Sequence, residues 1–274
     1  MKLTRDGALA IGFAVAFIVL FVAPPLLPYT FAPYPSVHWA DVVDLLTPLV
    51  LIPLYWLLFA PKTAPSSLGW TLAFLVLAAA WVEGHGIHLI ANAIGHLDQA
   101  EPGPARDLTE FADEKFSHYL WHAAALGLSA LVLVRHVRWP SQAGGAWWPG
   151  IVAAAVYGFA IFLIGDEGGT PPLVVPFAAV ITFAAIRIGR RRLLASPVLA
   201  MFGLGYPVAL GLFVNLVCLL GRPAAAVQRD RPHQVGAHDG DPTPAGGTFS
   251  PSRIRTTRRP TSSRACAGSS ASAT

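Results

Sequence analysis

Seven stretches of this chain, at 8–27, 39–60, 68–92, 111–134, 147–165, 171–189 and 196–220, run almost without charge. About 20 apolar residues of helix cross a hydrocarbon core about 30 Å thick. Within such a core every backbone polar group must be paired inside the protein, which leaves helices and closed barrels. Only 12% of the 274 residues are charged and 54% are hydrophobic, whereas a soluble domain carries about 25% charged residues. The expected fold is all-α, a polytopic membrane protein with a bundle of seven transmembrane helices over residues 1–221. Proline and glycine punctuate the stretches at Pro33, Pro35, Pro61, Pro65, Gly103, Pro104, Pro140 and Gly168-Gly169-Thr170-Pro171-Pro172. Pro48, Pro53, Pro176 and Pro207 fall inside them, where neighbouring helices re-satisfy the freed carbonyls.

Composition changes abruptly after Leu220. Residues 222–274 hold eight arginines against Asp230, Asp239 and Asp241, a net +5, while the rest of the chain is −1. The tail is rich in Arg, Pro, Ala, Ser, Thr and Gly and too poor in large apolar residues to build a core. It is expected to be a disordered basic tail or the out-of-frame translation of a GC-rich gene. The net charge of +4 resides in this segment, so it gives no ground for a nucleic-acid partner. Cys218 lies in an apolar run and Cys266 in the tail, which argues against a structural disulfide. Lys2 and Arg5 before Ala8–Val22 resemble a signal peptide, but Pro24-Pro25 and Pro28 stand where a small-residue cleavage site belongs, so an uncleaved first span is expected.

Basic residues set the orientation. With a cytoplasmic N-terminus, Lys2, Arg5, Lys62, Arg135, Arg138, Arg187, Arg190, Arg191 and Arg192 all fall inside, and only Arg106 and Lys115 fall outside. The positive-inside rule then favours an N-in topology, a multi-pass protein of the cell (plasma) membrane. Six of the seven histidines before the tail collect at the extracytoplasmic end, together with most of the carboxylates. Ionisable groups in a membrane segment are costly and need a partner or a wet cavity.

Helical spacing organises that cluster. His85, His88, Asn92 and, more loosely, His96 make a stripe at the end of span three; Glu114, His118 and His122 make another at the start of span four. Two facing stripes of imidazole and carboxylate are what a metal site in a helical bundle requires. Imidazole suits zinc and other first-row transition metals, whereas calcium and magnesium prefer oxygen alone. Zinc is the favoured cofactor, with His118, His122 and one or both of His85 and His88 as ligands. Glu83, Asp113 and Glu114 are candidate catalytic acids, and Glu114 is either a ligand or a general base. Glu83 lies about 20 Å from the inner end of span three. It is expected to face the bundle interior, as a partner orienting His85, a proton carrier, or a protonated acid that fixes packing. Asp44, a turn deeper than Asp41, and Asp166 and Glu167 in the turn after span five are candidate supporting carboxylates. Gly84 and Gly86 allow a helix or ligand to come close. The tryptophans read as an interfacial belt.

No Gly-rich phosphate loop, Gly-x-Ser-x-Gly elbow or Cys-x-x-Cys pair is present. Ser117 precedes His118 directly, and adjacent helical residues point apart. Seven spans with intramembrane histidines and acids are loosely similar to the ceramidase and progestin-receptor-like membrane hydrolases. That group carries its His-x3-His pair in the last span; here the pair opens span four and span seven has no histidine. The motif order differs, so no residue role transfers. The leading expectation is a metal-dependent membrane enzyme acting on a lipid or lipid-linked substrate. A metal-ion or proton transporter and a non-catalytic assembly factor are the alternatives. A transporter needs polar residues continuing inward, and below Glu83 and His122 spans three and four offer little beyond Leu, Ala and Gly.

Overall fold

The computed structural model describes residues 3–27, 29–32, 34–60, 65, 67–97, 103–140 and 146–220. The basic tail, Asp98 and Glu101 and the side chain of His96 lie outside the described residues. Among the described residues seven helices are long and apolar enough to cross a membrane, which is the make-up of a multi-pass membrane protein. They are α1 (Arg5–Val22), α2 (Trp39–Phe59), α3 (Leu68–Leu97), a fourth continuous helical run, α6 (Trp148–Glu167), α7 (Pro171–Ile188) and α9 (Pro197–Leu220). The fourth run begins as α4 (Pro104–Glu110), passes through a π-helical segment (Phe111–Ser117) and continues as α5 (His118–Arg138). A one-turn α8 (Arg190–Leu194) precedes α9.

Six of the seven spans start within three residues of their expected start, because loss of apolarity and proline set the same boundary; the fourth run starts at Pro104, seven residues before the expected 111. The interior prolines, Pro48 and Pro53 in α2, Pro176 in α7 and Pro207 in α9, are accommodated within helices. Two features were not legible beforehand. One is a short antiparallel hairpin between α1 and α2, β1 (Thr30–Phe31) and β2 (Tyr34–His38). The other is the π-helical segment, which closes wider turns than an α-helix.

Aromatic rings and small residues hold the bundle. Phe13 and Phe17 of α1 pack edge-on against Tyr55 of α2 and Tyr157 of α6, and Phe202 of α9 closes the cluster. At Gly158 a Cβ would overlap the Gly205 carbonyl, so α6 and α9 meet backbone to backbone, as small residues permit in membrane bundles.

In the middle of this core four hydroxyls form a chain. Tyr55 Oη lies 2.8 Å from Ser129 Oγ, which lies 2.8 Å from Tyr157 Oη, which lies 2.9 Å from Tyr206 Oη. The Tyr55 hydroxyl also approaches the Ala125 carbonyl at 3.3 Å. All four residues are fully buried, and four different helices supply them. At one end of the bundle Arg135 lays its guanidinium over the Phe59 ring, 4.4 Å from its centroid, and the His136 Nε2–H donates to the Leu58 carbonyl at 2.8 Å. The histidine and carboxylate cluster occupies the other end.

Candidate metal centre

The C-terminal part of α3 and the start of α5 run side by side because Gly84 removes the obstacle between them. A Cβ there would lie 2.8 Å from the Trp121 amide nitrogen and 3.1 Å from the Ser117 carbonyl. The expectation for Gly84 thus holds; at Gly86 a Cβ would meet nothing within 4 Å.

Three side chains converge across this contact. One ligand atom each of His88, Asp113 and His118 lie within 4.8 Å of one another. The His88 Nδ1–H donates to Asp113 Oδ1 at 2.6 Å, and the Asn92 amide donates to His88 Nε2 at 3.2 Å. The His118 Nδ1–H donates to the Glu114 carbonyl at 3.3 Å, which leaves Nε2 as the basic nitrogen of a neutral ring. His88 and His118 stand with ring centroids 4.8 Å apart.

The π-helical segment decides which acid takes part. In a regular α-helix Glu114 would share the face of His118 and His122. With the wider turns over 111–117, Asp113 turns inward to His88, and the Ser117 hydroxyl donates back to the Asp113 carbonyl. Glu114 is exposed and contributes its carbonyl. The stripe read from α-helical spacing is therefore corrected by one position. Asp113, first read as a catalytic acid, stands where a ligand would.

Asp44 is the second carboxylate of the cluster. The His85 Nε2–H donates to Asp44 Oδ1 at 3.1 Å and to the Asp44 carbonyl at 3.0 Å. Asp44 Oδ2 lies 3.7 Å from His88 Nε2. His85 thus faces Asp44 and is not among the three converging groups, although sequence spacing offered it as a ligand. Asp41 instead caps α2 by accepting from the His38 amide at 2.7 Å.

His122 also stands outside the trio. Its Nδ1 lies 2.5 Å from Thr170 Oγ1, its ring packs edge-on against Trp121 at 3.8 Å, and its Nε2 is buried without a partner among the described residues. Gly168 makes room for it, since a Cβ there would lie 2.6 Å from His122 Cε1. Asp44, His85, His88, His118, His122 and Glu167 line a cavity of about 170 Å³, walled by Phe21, Trp121 and Ile164. Glu167 is thus a lining carboxylate, while Asp166, exposed, is not.

Glu83 requires a correction. It is exposed on the outer side of α3, whereas His85 is buried at 2% exposure. Two residues along an α-helix turn the chain through about 200°, so the two cannot share a face. Depth along the axis said nothing about rotation around it. Trp121, Thr170 and Gly168 were missed. Trp121 was assigned to the interfacial belt but is buried against His122. The only sequence signal for Thr170 was its position after the Gly168-Gly169 turn.

Below the cavity lies an aromatic layer. Phe21 stacks on Trp121 at 5.1 Å, Trp121 on Trp81 at 6.2 Å, and Trp81 meets Tyr55 edge-on at 5.7 Å. The hydroxyl chain places polar groups deeper in the bundle, of which only Ser129 comes from spans three and four, and the tryptophan layer stands between it and the histidines.

The fold and site define a seven-helix polytopic chain with a His/Asp group at one end of its bundle. No protein-family model, curated protein or solved structure matches this chain.

Proposed function

We propose that this protein is an integral membrane protein that holds a divalent first-row transition metal, with zinc favoured, between His88, Asp113 and His118. The metal would serve hydrolysis of a lipid or lipid-linked substrate at the extracytoplasmic face. The observation that carries the reading is the convergence of two imidazoles and one carboxylate to within 4.8 Å beside a cavity. Two nitrogen donors and one oxygen donor suit zinc and its neighbours better than calcium or magnesium. Three protein ligands are the complement of a catalytic zinc, whose fourth position takes a water with a pKa lowered to about 7.

The chain's own groups supply the rest. Asp44 accepts from His85 and faces His88, the outer carboxylate arrangement that orients ligating histidines. The buried Nε2 of His122 and the carboxylate of Glu167 border the cavity where a substrate's reacting group would sit. The Phe21–Trp121–Trp81 layer supports a closed site over a transport path. The extracytoplasmic placement rests on the distribution of Lys and Arg.

Elemental analysis of the detergent-purified protein tests the metal, comparing wild type with His88→Ala/His118→Ala. Stoichiometric zinc in the wild type and its loss in the variant is the expected result; equal, near-zero metal in both sinks the site. Hydrolysis of ester- and amide-linked lipid probes in nanodiscs, with and without chelator, tests the enzyme. Stoichiometric metal without chelator-sensitive turnover would retain the metal and remove the hydrolase.

A further inference from the structure

The outer side of α3 carries a second feature, and it does not depend on the metal. Ile87, Ile90 and Ile94 of α3 face Leu108 and Ala112 of α4 and the π-helical segment across a groove of about 460 Å³. That volume falls within the about 300–1,000 Å³ of small-molecule sites. Gly86 opens it, since nothing lies within 4 Å of where its Cβ would be. Ile90, Ile94 and Leu108 remain exposed at 64%, 45% and 67%, so the groove opens sideways, away from the bundle. From Glu83 to Ile94 it runs about 16 Å along the helix, close to half of a hydrocarbon core of about 30 Å.

Glu83 stands at one end of this groove. It is exposed and makes no hydrogen bond or ion pair among the described residues. The one hydroxyl of the lining, Thr109, is already given to the Ala105 carbonyl at 2.9 Å. A carboxyl in a membrane segment requires a partner, and neither α3 nor α4 supplies one.

We infer that the groove binds a neutral, hydroxyl-bearing hydrocarbon dissolved in the bilayer, its apolar body along Ile87–Ile94 and its hydroxyl on the Glu83 carboxyl. A cationic donor would have to bring a second charge into hydrocarbon, which is expensive. An ordinary lipid keeps its headgroup at the interface, level with the Ile94 end, and lays only methylenes on Glu83. The occupant therefore carries its donor inside the hydrocarbon.

The test uses the full chain in phosphatidylcholine nanodiscs. Two photoprobes are compared, a benzophenone-bearing hydrocarbon with a mid-chain hydroxyl and the same benzophenone alkane without the hydroxyl, and labelled peptides are mapped. One hydrogen bond with a net worth of about 0.5–1.5 kcal/mol predicts about 2–10-fold more labelling of 82–94 and 108–112 by the alcohol. Glu83→Leu reduces the alcohol to the level of the alkane, Glu83→Gln keeps most of the difference, and Gly86→Leu removes both labels. Monodisperse elution and unchanged helical circular dichroism verify that each variant is folded. Equal labelling by the two probes in the wild type, or alcohol labelling that survives both leucine substitutions, overturns the inference. So do chain-to-chain cross-links through 82–94, which would put a second copy in the groove. Labelling is read without any metal, so this result and that of the metal analysis are independent.

Discussion

His88 and Asp113 stand 25 positions apart in sequence and 2.6 Å apart in space, Nδ1 to Oδ1, joining the end of α3 to the π-helical segment. The same two residues belong to the group that could hold a metal ion, so metal binding and the hydrogen-bonded proton would compete for one pair of residues.

Asp113→Asn therefore removes a ligand, while Asp44→Asn removes an outer partner. Loss of an outer partner lowers metal affinity by about 10–100-fold. Asp44→Asn is expected in that range, Asp113→Asn beyond it, and Glu114→Gln with no effect. Competition against a chromophoric chelator measures all three. A large loss for Glu114→Gln with none for Asp113→Asn would restore the α-helical register that the π-helical segment displaces.

Metal affinity should fall as the solution is acidified. Neutral imidazole and ionised carboxylate bind metal, and binding releases protons. Imidazole ordinarily titrates near about pH 6.5, so protons compete more strongly below that value and the apparent affinity drops; above it the affinity levels off. Chelator competition across pH 5–8 reads the slope. A flat profile would contradict histidine ligation.

Two glycines, two positions apart, should respond in opposite ways. Gly84→Ala drives a Cβ to 2.8 Å from the Trp121 backbone nitrogen and must part α3 from α5. Overpacking of this kind costs about 1–3 kcal/mol, and metal content should fall with it. Gly86→Ala meets open space and gains up to about 1 kcal/mol of helix propensity. Thermal unfolding in detergent with metal analysis compares the two. Equal stability of both variants would deny the close approach at Gly84.

Tyr157→Phe cuts the hydroxyl chain at its centre, breaking the contacts to Ser129 and Tyr206. Side-chain hydrogen bonds in membrane proteins average about 0.6 kcal/mol and reach about 1.7. A loss of about 1–3 kcal/mol is expected in denaturant unfolding, with metal content unchanged. Loss of metal with stability intact would instead tie the hydroxyl chain to the site.

The sequence by itself determined seven helices, most of their starts and the gathering of histidines and acids at one end. These follow from local quantities: runs of apolar length, proline and glycine at the breaks, and the position of each ionisable residue along its helix. Even His88 and His118 could be picked out, because spans three and four are consecutive and bring their ends together. Rotation about each helix axis was another matter. Spacing put Glu114 inward because it assumed α-helical turns throughout; the π-helical segment put Asp113 there. Depth put Glu83 among the interior groups; packing through Gly84 turned it outward. Tyr55, Tyr157 and Tyr206 lie on three different helices, and only the packing of the bundle joins their hydroxyls into one chain with Ser129. Tertiary structure decided these because a side chain's partners are fixed by which faces touch, and close packing through small residues sets that only when the whole bundle assembles.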